Sequence, residues 1–433
     1  MIDVDMESAG LSNIREAGQS ATTQWDLEKG SYEKIGPRVK NDVNMEFEIH
    51  SADSDIELNK TEVGIKLRVQ KADGTNLDDT DHVGLVNYPI ASLFNNLEIK
   101  LNNKTITHGS SNYAERANME VLLSYTEEAA KSWLQASLYE KDTAGRMDAA
   151  DPSAADDVVN HGLKKRSEHT KLSRLLTLRG KLHEDIFHQG RHLPAGVKMD
   201  LRFSRNSDDY CLMSNAANAA YKIKIEEMSL YVHKVSMYSE AEQSLAGKQR
   251  VFPIDRVMMK EFNVAQSGNM FIENALHNGR IPKQLCMAFI DTKGHTGGFK
   301  LNPFNWVHAD VKKVSLLRDG QIIDGRPLST DFANGDVTDG FWSLSRATNT
   351  RFANAGTLIE LEDYKKGGYT LWAYDLSPSQ SDGQFIDPKQ SGSLSLEIEF
   401  AKNLTAPLVL CVYLQFDSEI IINEVGAVTT MYD

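Results

Sequence analysis

Gly196–Asn206, GVKMDLRFSRN, decides the fold, because the chain writes it twice: Gly392–Asn403 reads GSLSLEIEFAKN. Laid over each other at a shift of 197 residues, Lys198–Asn206 and Ser395–Asn403 match in chemical type at seven of nine positions. Met199 meets Leu396, Leu201 meets Ile398, Phe203 meets Phe400 and Asn206 meets Asn403. Both copies alternate apolar with polar at period two, the pattern of a strand with one face on a core. Two such strands so far apart predict one β-architecture built twice.

Working outward, other pieces repeat in the same order. Val63, Ile65, Leu67 and Val69 alternate with Gly64, Lys66, Arg68 and Gln70 before the turn Ala72-Asp73-Gly74, and Leu285, Met287 and Phe289 recur at the same period of two before Thr292-Lys293-Gly294. Leu97, Ile99 and Leu101 run into Asn102-Asn103, and Val314 and Leu316 run into Asp319-Gly320. Asn87-Tyr88-Pro89 is echoed by Asn302-Pro303-Phe304. These shifts stay near 217, half of the 433 residues, and fall to 197 only after a polar insertion in the first half. That is how two copies of one module with unequal loops behave.

A chain of 433 residues exceeds a single β-core, so two domains are expected. Residues 1–37 are polar and aperiodic and read as an N-terminal arm; 38–238 form the first unit, the polar stretch 239–249 a connector, and 250–433 the second unit. Ala117, Val121, Leu122 and Tyr125 keep helical spacing within a helical region, 113–139, with Thr126 before Glu127-Glu128 as a second helix start. Lys141–Lys171 is polar and rich in Ala, Asp and Ser. It is expected to be an external segment, mobile or ordered only by its neighbours, as are the first ~20 residues. Glu226-Glu227 interrupts the alternation of Ile223–Val232 and predicts a break in register. Residues 328–382 read as Gly-rich and aromatic loops.

The charge balance, 47 Lys and Arg against 61 Asp and Glu for a formal net of −14, disfavours a broad phosphate-binding surface. Lys164-Lys165-Arg166 is the local exception to test. Cys211, Cys286 and Cys411 sit singly in strand-like runs and read as small buried hydrophobes of a reducing compartment. The acidic N-terminus has no signal-peptide pattern, and no apolar run approaches the ~20 residues of a membrane span, so a soluble intracellular product is expected.

Chemistry-bearing patterns are few. LHEDIFHQGRH places His183, His188 and His192 beside Glu184 and Asp185, but the spacing H-E-x-x-x-H is one residue longer than the zinc-binding HExxH, and Pro194 follows closely. A structural histidine cluster with no metal is expected there. Gly294–Gly298, GHTGG, lacks the lysine and following helix of a phosphate cradle and reads as a turn. Asp78-Asp79 and Asp208-Asp209 lie in turn-like runs, there is no G-x-S-x-G elbow, and the five tryptophans are dispersed. No catalytic residue, cofactor site or metal site is assigned.

Several blocks resemble the double jelly-roll major capsid proteins of Polinton/Maverick elements and adintovirus-like viruses, the lineage of adenovirus hexon. They are Val86–Ile106, Tyr113–Tyr125, Leu178–Asn206, Tyr221–Val235 and Leu301–Gln321, with LRGKLHEDIF and NPFNW followed by DGQ as the best pieces. The resemblance implies an all-β fold of two tandem eight-stranded jelly rolls, with a helical insertion in the first. It further implies a non-enzymatic capsid protein that forms homotrimeric, pseudo-hexameric capsomers. These would contact neighbouring capsomers and a penton-type minor protein in an icosahedral virion around double-stranded DNA, without sequence-specific nucleic-acid binding. The alternatives are a carbohydrate-binding or carbohydrate-cleaving β-sandwich and a single-roll minor virion component, which the duplication speaks against.

Overall fold

The computed structural model of the chain describes residues 27–108, 112–239, 248–348, 350, 356–379 and 388–430. Eight principal strands lie in the first half: β1 Leu27–Ile35, β2 Asn44–Ile49, β3 Asp55–Lys71, β4 Phe94–Leu101, β5 Lys104–Thr105, β6 Leu176–Lys181, β7 Met199–Arg205 and β8 Tyr221–Met237. Eight more follow: β9 Arg250–Val264, β10 Met270–Arg280, β11 Gln284–Asp291, β12 Val311–Arg318, β13 Gln321–Ile322, β14 Leu371–Asp375, β15 Ser391–Phe400 and β16 Leu408–Ile422. The first half pairs them as β1-β8-β3-β6 and β2-β7-β4-β5; the second as β9-β16-β11-β14 and β10-β15-β12-β13. Adding eight to each strand of the first half gives the second. Each half is therefore a jelly roll, two antiparallel sheets closed by Greek-key connections.

The repeated stretch is the strand at the centre of this arrangement. β7 lies between β2 and β4, with Leu201 opposite Phe47 and Ile99; β15 lies between β10 and β12. The echo is not residue-perfect in space. Leu201 faces Ile99, whereas its counterpart Ile398 faces Val314, the counterpart of Leu97. The slip is two residues, and a slip of two keeps every side chain on its face. The hairpins that follow also correspond. Asn102-Asn103 and Asp319-Gly320 all take positive φ (45°, 67°, 50° and 79°) in two-residue loops, the turn whose twist matches flanking strands. The break expected at Glu226-Glu227 is a bulge: Ile225 pairs with Leu67 and Glu227 with Lys66, leaving Glu226 extra.

The second roll closes on its own core, where Leu285, Met287, Phe289, Leu410, Val412 and Leu414 meet Val314, Leu316, Leu396 and Ile398. The opposite face of the same sheet, through Phe252, Ile254, Cys286, Ala288, Ile290 and Cys411, belongs to the cluster that contains the first roll's core. The β9-β16-β11-β14 sheet is thus buried on both faces, which is why Leu285–Ile290 reads as a continuous apolar run rather than an alternation.

Five segments differ from their expected form. Leu27–Ile35, inside the stretch expected as an arm, pairs along β8 from Leu27–Met237 to Ile35–Leu230; it is an exposed edge strand of polar sequence, so no apolar alternation marks it. The expected helical region begins as α1 Tyr113–Ser124, followed by a one-turn helix at Glu127–Ala130. Lys141–Lys171 contains α2 His161–Thr170, whose Asn160 side chain accepts hydrogen bonds from Gly162 N and Leu163 N, and it is anchored by buried polar groups described below. Gly294–Gly298 overlaps α3, Thr292–Thr296, which is ended by Gly297 at φ 101°. Residues 328–382 are not only loops: they hold α4 Thr338–Ala347, α5 Leu361–Lys366 and β14. The connector falls largely outside the described residues, as do the first 26.

Candidate functional site

The densest polar chemistry lies where the rolls meet, and α1 carries it. Tyr113–Met119 are all buried, so the helix brings Glu115 and Arg116 into the interior, with Glu120 beside them. A buried guanidinium persists only when its donors are matched. Arg116 Nε donates to Glu120 Oε1 (2.8 Å), Nη1 to Glu184 Oε2 (3.0 Å) and Nη2 to Asp185 Oδ1 (2.7 Å). Asp185 reaches the second roll: its Oδ1 accepts from Val257 N (3.3 Å), and its Oδ2 lies 3.5 Å from Arg256 Nη1, which donates to Ile106 O (2.6 Å). Burial raises the Glu184 carboxyl. Burial acts on Glu120 in the same sense, but Arg116 and His183 outweigh it and hold that carboxyl well below the usual range.

His183 and His188 are brought together and His192 is not. Ligand atoms of Glu120, His183 and His188 lie within 4.8 Å of one another. The His183 ring is already satisfied on both sides, Nδ1 2.7 Å from Glu120 Oε2 and Nε2 2.9 Å from Tyr88 Oη. Glu120 is also tied to Arg116. Imidazole, carboxylate and guanidinium form a closed network that ties β6's exit to α1.

A second set of ties crosses the seam. Arg166 of α2, fully buried, donates to Asp142 Oδ1 (2.7 Å), Leu85 O (2.8 Å) and Glu140 O (2.6 Å). Asn302 Nδ2 donates to Asp142 Oδ2 (3.1 Å), Tyr369 Oη to Asp142 O (2.8 Å), and Trp306 Nε1 to Asn118 Oδ1 (2.9 Å). The basic run Lys164-Lys165-Arg166 is thereby spent on protein: Lys164 pairs with Asp156 at 2.7 Å, Lys165 with Glu140 at 3.1 Å, and Arg166 is internal.

The remaining sequence candidates are local. Asp78 binds Lys71 (2.9 Å), and Asp208 receives Arg205 Nη2 (2.9 Å) and Ile223 N (3.0 Å). The three cysteines are buried and free, and burial pushes the Cys286 thiol up to about 12, away from the thiolate form that a nucleophile needs. Trp306 and Trp372 are core residues, while Trp133 and Trp342 are exposed. Sequence reasoning missed Arg116 and Asp142 and took Arg166 only as part of a local basic patch; a charged residue amid apolar helix positions, as in YAERANMEVLL, is the signal that was available. Among the described residues, no helix is long and apolar enough to cross a membrane.

No family profile matches the chain. An uncharacterized protein of Caenorhabditis elegans is 23% identical over 335 residues, covering 75% of this chain and 76% of that one. Solved structures match over nearly the whole length at low identity. A Sputnik virophage chain gives a TM-score of 0.62 at 10% identity, covering 95% of this chain and 90% of that chain. The mavirus major capsid protein gives 0.56 at 10% identity, covering 96% and 92%, and the faustovirus major capsid protein 0.55 at 8%, covering 94% of each. The chain is a double jelly roll, the fold of these viral major capsid proteins and the fold that its Polinton/Maverick-like blocks imply.

Proposed function

We propose that the chain is a structural, non-enzymatic major capsid protein, which forms homotrimeric, pseudo-hexameric capsomers tiling an icosahedral shell around double-stranded DNA. The observation that carries this reading is the matched strand order of two rolls in one chain. Two similar rolls give a ring of three chains six similar edges, with heterologous contacts about a threefold axis. The tied seam supports it, because a tile needs its halves held in one relation. The first roll runs from β1 to residue 238, the connector is 239–249, and the second roll is 250–433. Its partners are neighbouring capsomers and a penton-type minor protein, its place is the virion, and its acidic charge fits the absence of sequence-specific nucleic-acid binding. Three chains of 48.3 kDa give a particle of about 145 kDa. Light scattering across a dilution series should return that mass, and electron micrographs should show hexagonal outlines or shells. A monomer at high concentration with no larger species overturns the reading and favours a sugar-binding sandwich, which a glycan screen would then reveal.

A further inference from the structure

A second cluster of metal-ligating side chains, outside the network around His183, has a different character. Glu261 on β9, His295 on α3 and Cys411 on β16 place one ligand atom each within 4.8 Å of one another. His295 Nε2 lies 3.1 Å from Glu261 Oε1. Its Nδ1 is buried without a hydrogen-bond partner and faces Glu115 Oε1 of α1 at 3.6 Å, just beyond bonding distance. Glu115 is itself held by Tyr210 Oη at 2.8 Å. Where Arg116 balances the acids around His183, two carboxylates and a thiol surround His295. Glu261 is about one-third exposed, which opens the cluster to solvent on one side.

We propose that Glu261, His295 and Cys411 form a zinc site at the seam between the rolls, with Glu115 as the residue that positions the imidazole. A thiolate, an imidazole and a carboxylate are the donor set of a four-coordinate zinc that keeps water as its fourth ligand. Ligand atoms around tetrahedral zinc stand roughly 3.3–3.8 Å apart, so the cluster closes on the ion by shifts of about an ångström or less. Nε2, the nitrogen beside Glu261, is the metal ligand. Nδ1 then keeps the proton and donates a hydrogen bond to Glu115, the carboxylate–histidine–metal arrangement that fixes tautomer and ring orientation. Without a cation, burial and the two nearby carboxylates keep the Cys411 thiol protonated; a divalent ion reverses that balance and releases the thiol proton to solvent. The ion would join β9, β16 and α3 of the second roll and, through Glu115 and Tyr210, tie them to the first. This inference does not depend on the capsid reading.

The test uses the full chain purified under reducing conditions without chelator. Titration with Co²⁺ should saturate at one ion per chain with a thiolate-to-cobalt charge-transfer absorption, and Zn²⁺ should displace it stoichiometrically. Cys411→Ser should remove the absorption and Cys286→Ser should keep it. Glu261→Gln, at a part-exposed position that tolerates the change, should lose binding while its near-ultraviolet circular dichroism stays native. Glu115→Gln should keep the stoichiometry and weaken affinity about 10- to 100-fold. A wild-type chain that binds no Co²⁺, an absorption that survives Cys411→Ser, or native-like Glu261→Gln with full binding each overturns the site. So does loss of the ion in His183→Gln with full retention in Glu261→Gln.

Discussion

Replacing Arg166 by methionine tests whether the insertion between β5 and β6 is part of the core or draped over it. The guanidinium is completely buried, as is Asp142, and its three bonds end on a carboxylate and two carbonyls. Methionine fills similar volume but satisfies none of them. Asp142 would keep only Asn302 Nδ2, at 3.1 Å, against its buried charge. Breaking a buried pair by removing one partner costs about 3–5 kcal/mol, a large share of the roughly 5–15 kcal/mol that holds a typical domain. Urea unfolding followed by tryptophan fluorescence should show the loss, and limited proteolysis of Arg166→Met should open 141–171, which the wild type protects. Removing both charges in Arg166→Met/Asp142→Asn should recover part of it, with a coupling of about 0.5–3 kcal/mol in the double-mutant cycle. A single-mutant cost below about 1 kcal/mol, or first cleavage of the wild type inside 141–171, would refute the anchoring.

Phe203→Ala and Phe400→Ala should each cost about 3–5 kcal/mol by leaving cavities at corresponding places, beside Phe47 and Phe94 in one roll and Phe289 in the other; a difference beyond about 2 kcal/mol in urea titrations would mean that the cores are not equivalent. Against His108, His188 and His308, which burial lowers and which act in the opposite sense, His295 and Glu115 should each contribute a loss of stability to the metal-free chain as pH rises, because His295 is raised above 6.5 by its bond to Glu261 and Glu115 above 4.5 by burial. Both contributions are complete below the unfolded values and fade as pH climbs through the folded ones, so Glu115→Gln should flatten that part of a melting-temperature profile, and an unchanged slope would exclude Glu115 as its source. If the chain forms the trimers proposed above, each carries three times −14 and should associate further as salt is added, which sedimentation at rising ionic strength reads directly; assembly that dissolves with salt would contradict it.

Strand identity was legible wherever one face meets a core and the other meets water. Met199–Arg205, Leu97–Leu101 and Val63–Val69 announce themselves by alternation, and the two-residue turns after β4 and β12 by Asn-Asn and Asp-Gly. Legibility ended where that asymmetry ended. β1 exposes nearly every side chain, so its pairing rests on backbone bonds to β8 and leaves no apolar trace. α4, TDGFWSLSRA, hides its periodicity behind Gly340 and three hydroxyl residues. The seam was less legible still. Arg116 finds Glu184 and Asp185 some seventy positions away, and Asp142 finds Asn302 160 positions away, so no local window contains either pairing. The histidine run was visible, but its partners Tyr88 and Glu120, which decide what it does, were not.

The seam also explains why two rolls with one strand order are not interchangeable. Each roll places its helical insertion at the same point of the order, between β5 and β6 in the first and between β13 and β14 in the second. The first insertion supplies α1, whose Ala117, Met119 and Val121 share one buried cluster with the outer face of the β9-β16-β11-β14 sheet. That sheet had to become apolar on both faces, Leu285, Met287 and Phe289 inward and Cys286, Ala288 and Ile290 outward. The equivalent first-roll sheet keeps Lys66, Arg68 and Glu227 on its outer side, with Lys66 Nζ bonded to Glu227 Oε2 at 2.7 Å. One roll therefore presents a charged sheet to its surroundings where the other is capped from within the chain. A ring of three such chains would alternate the two surfaces around its rim, so its symmetry is threefold in chemistry even where the strand order makes it sixfold in outline.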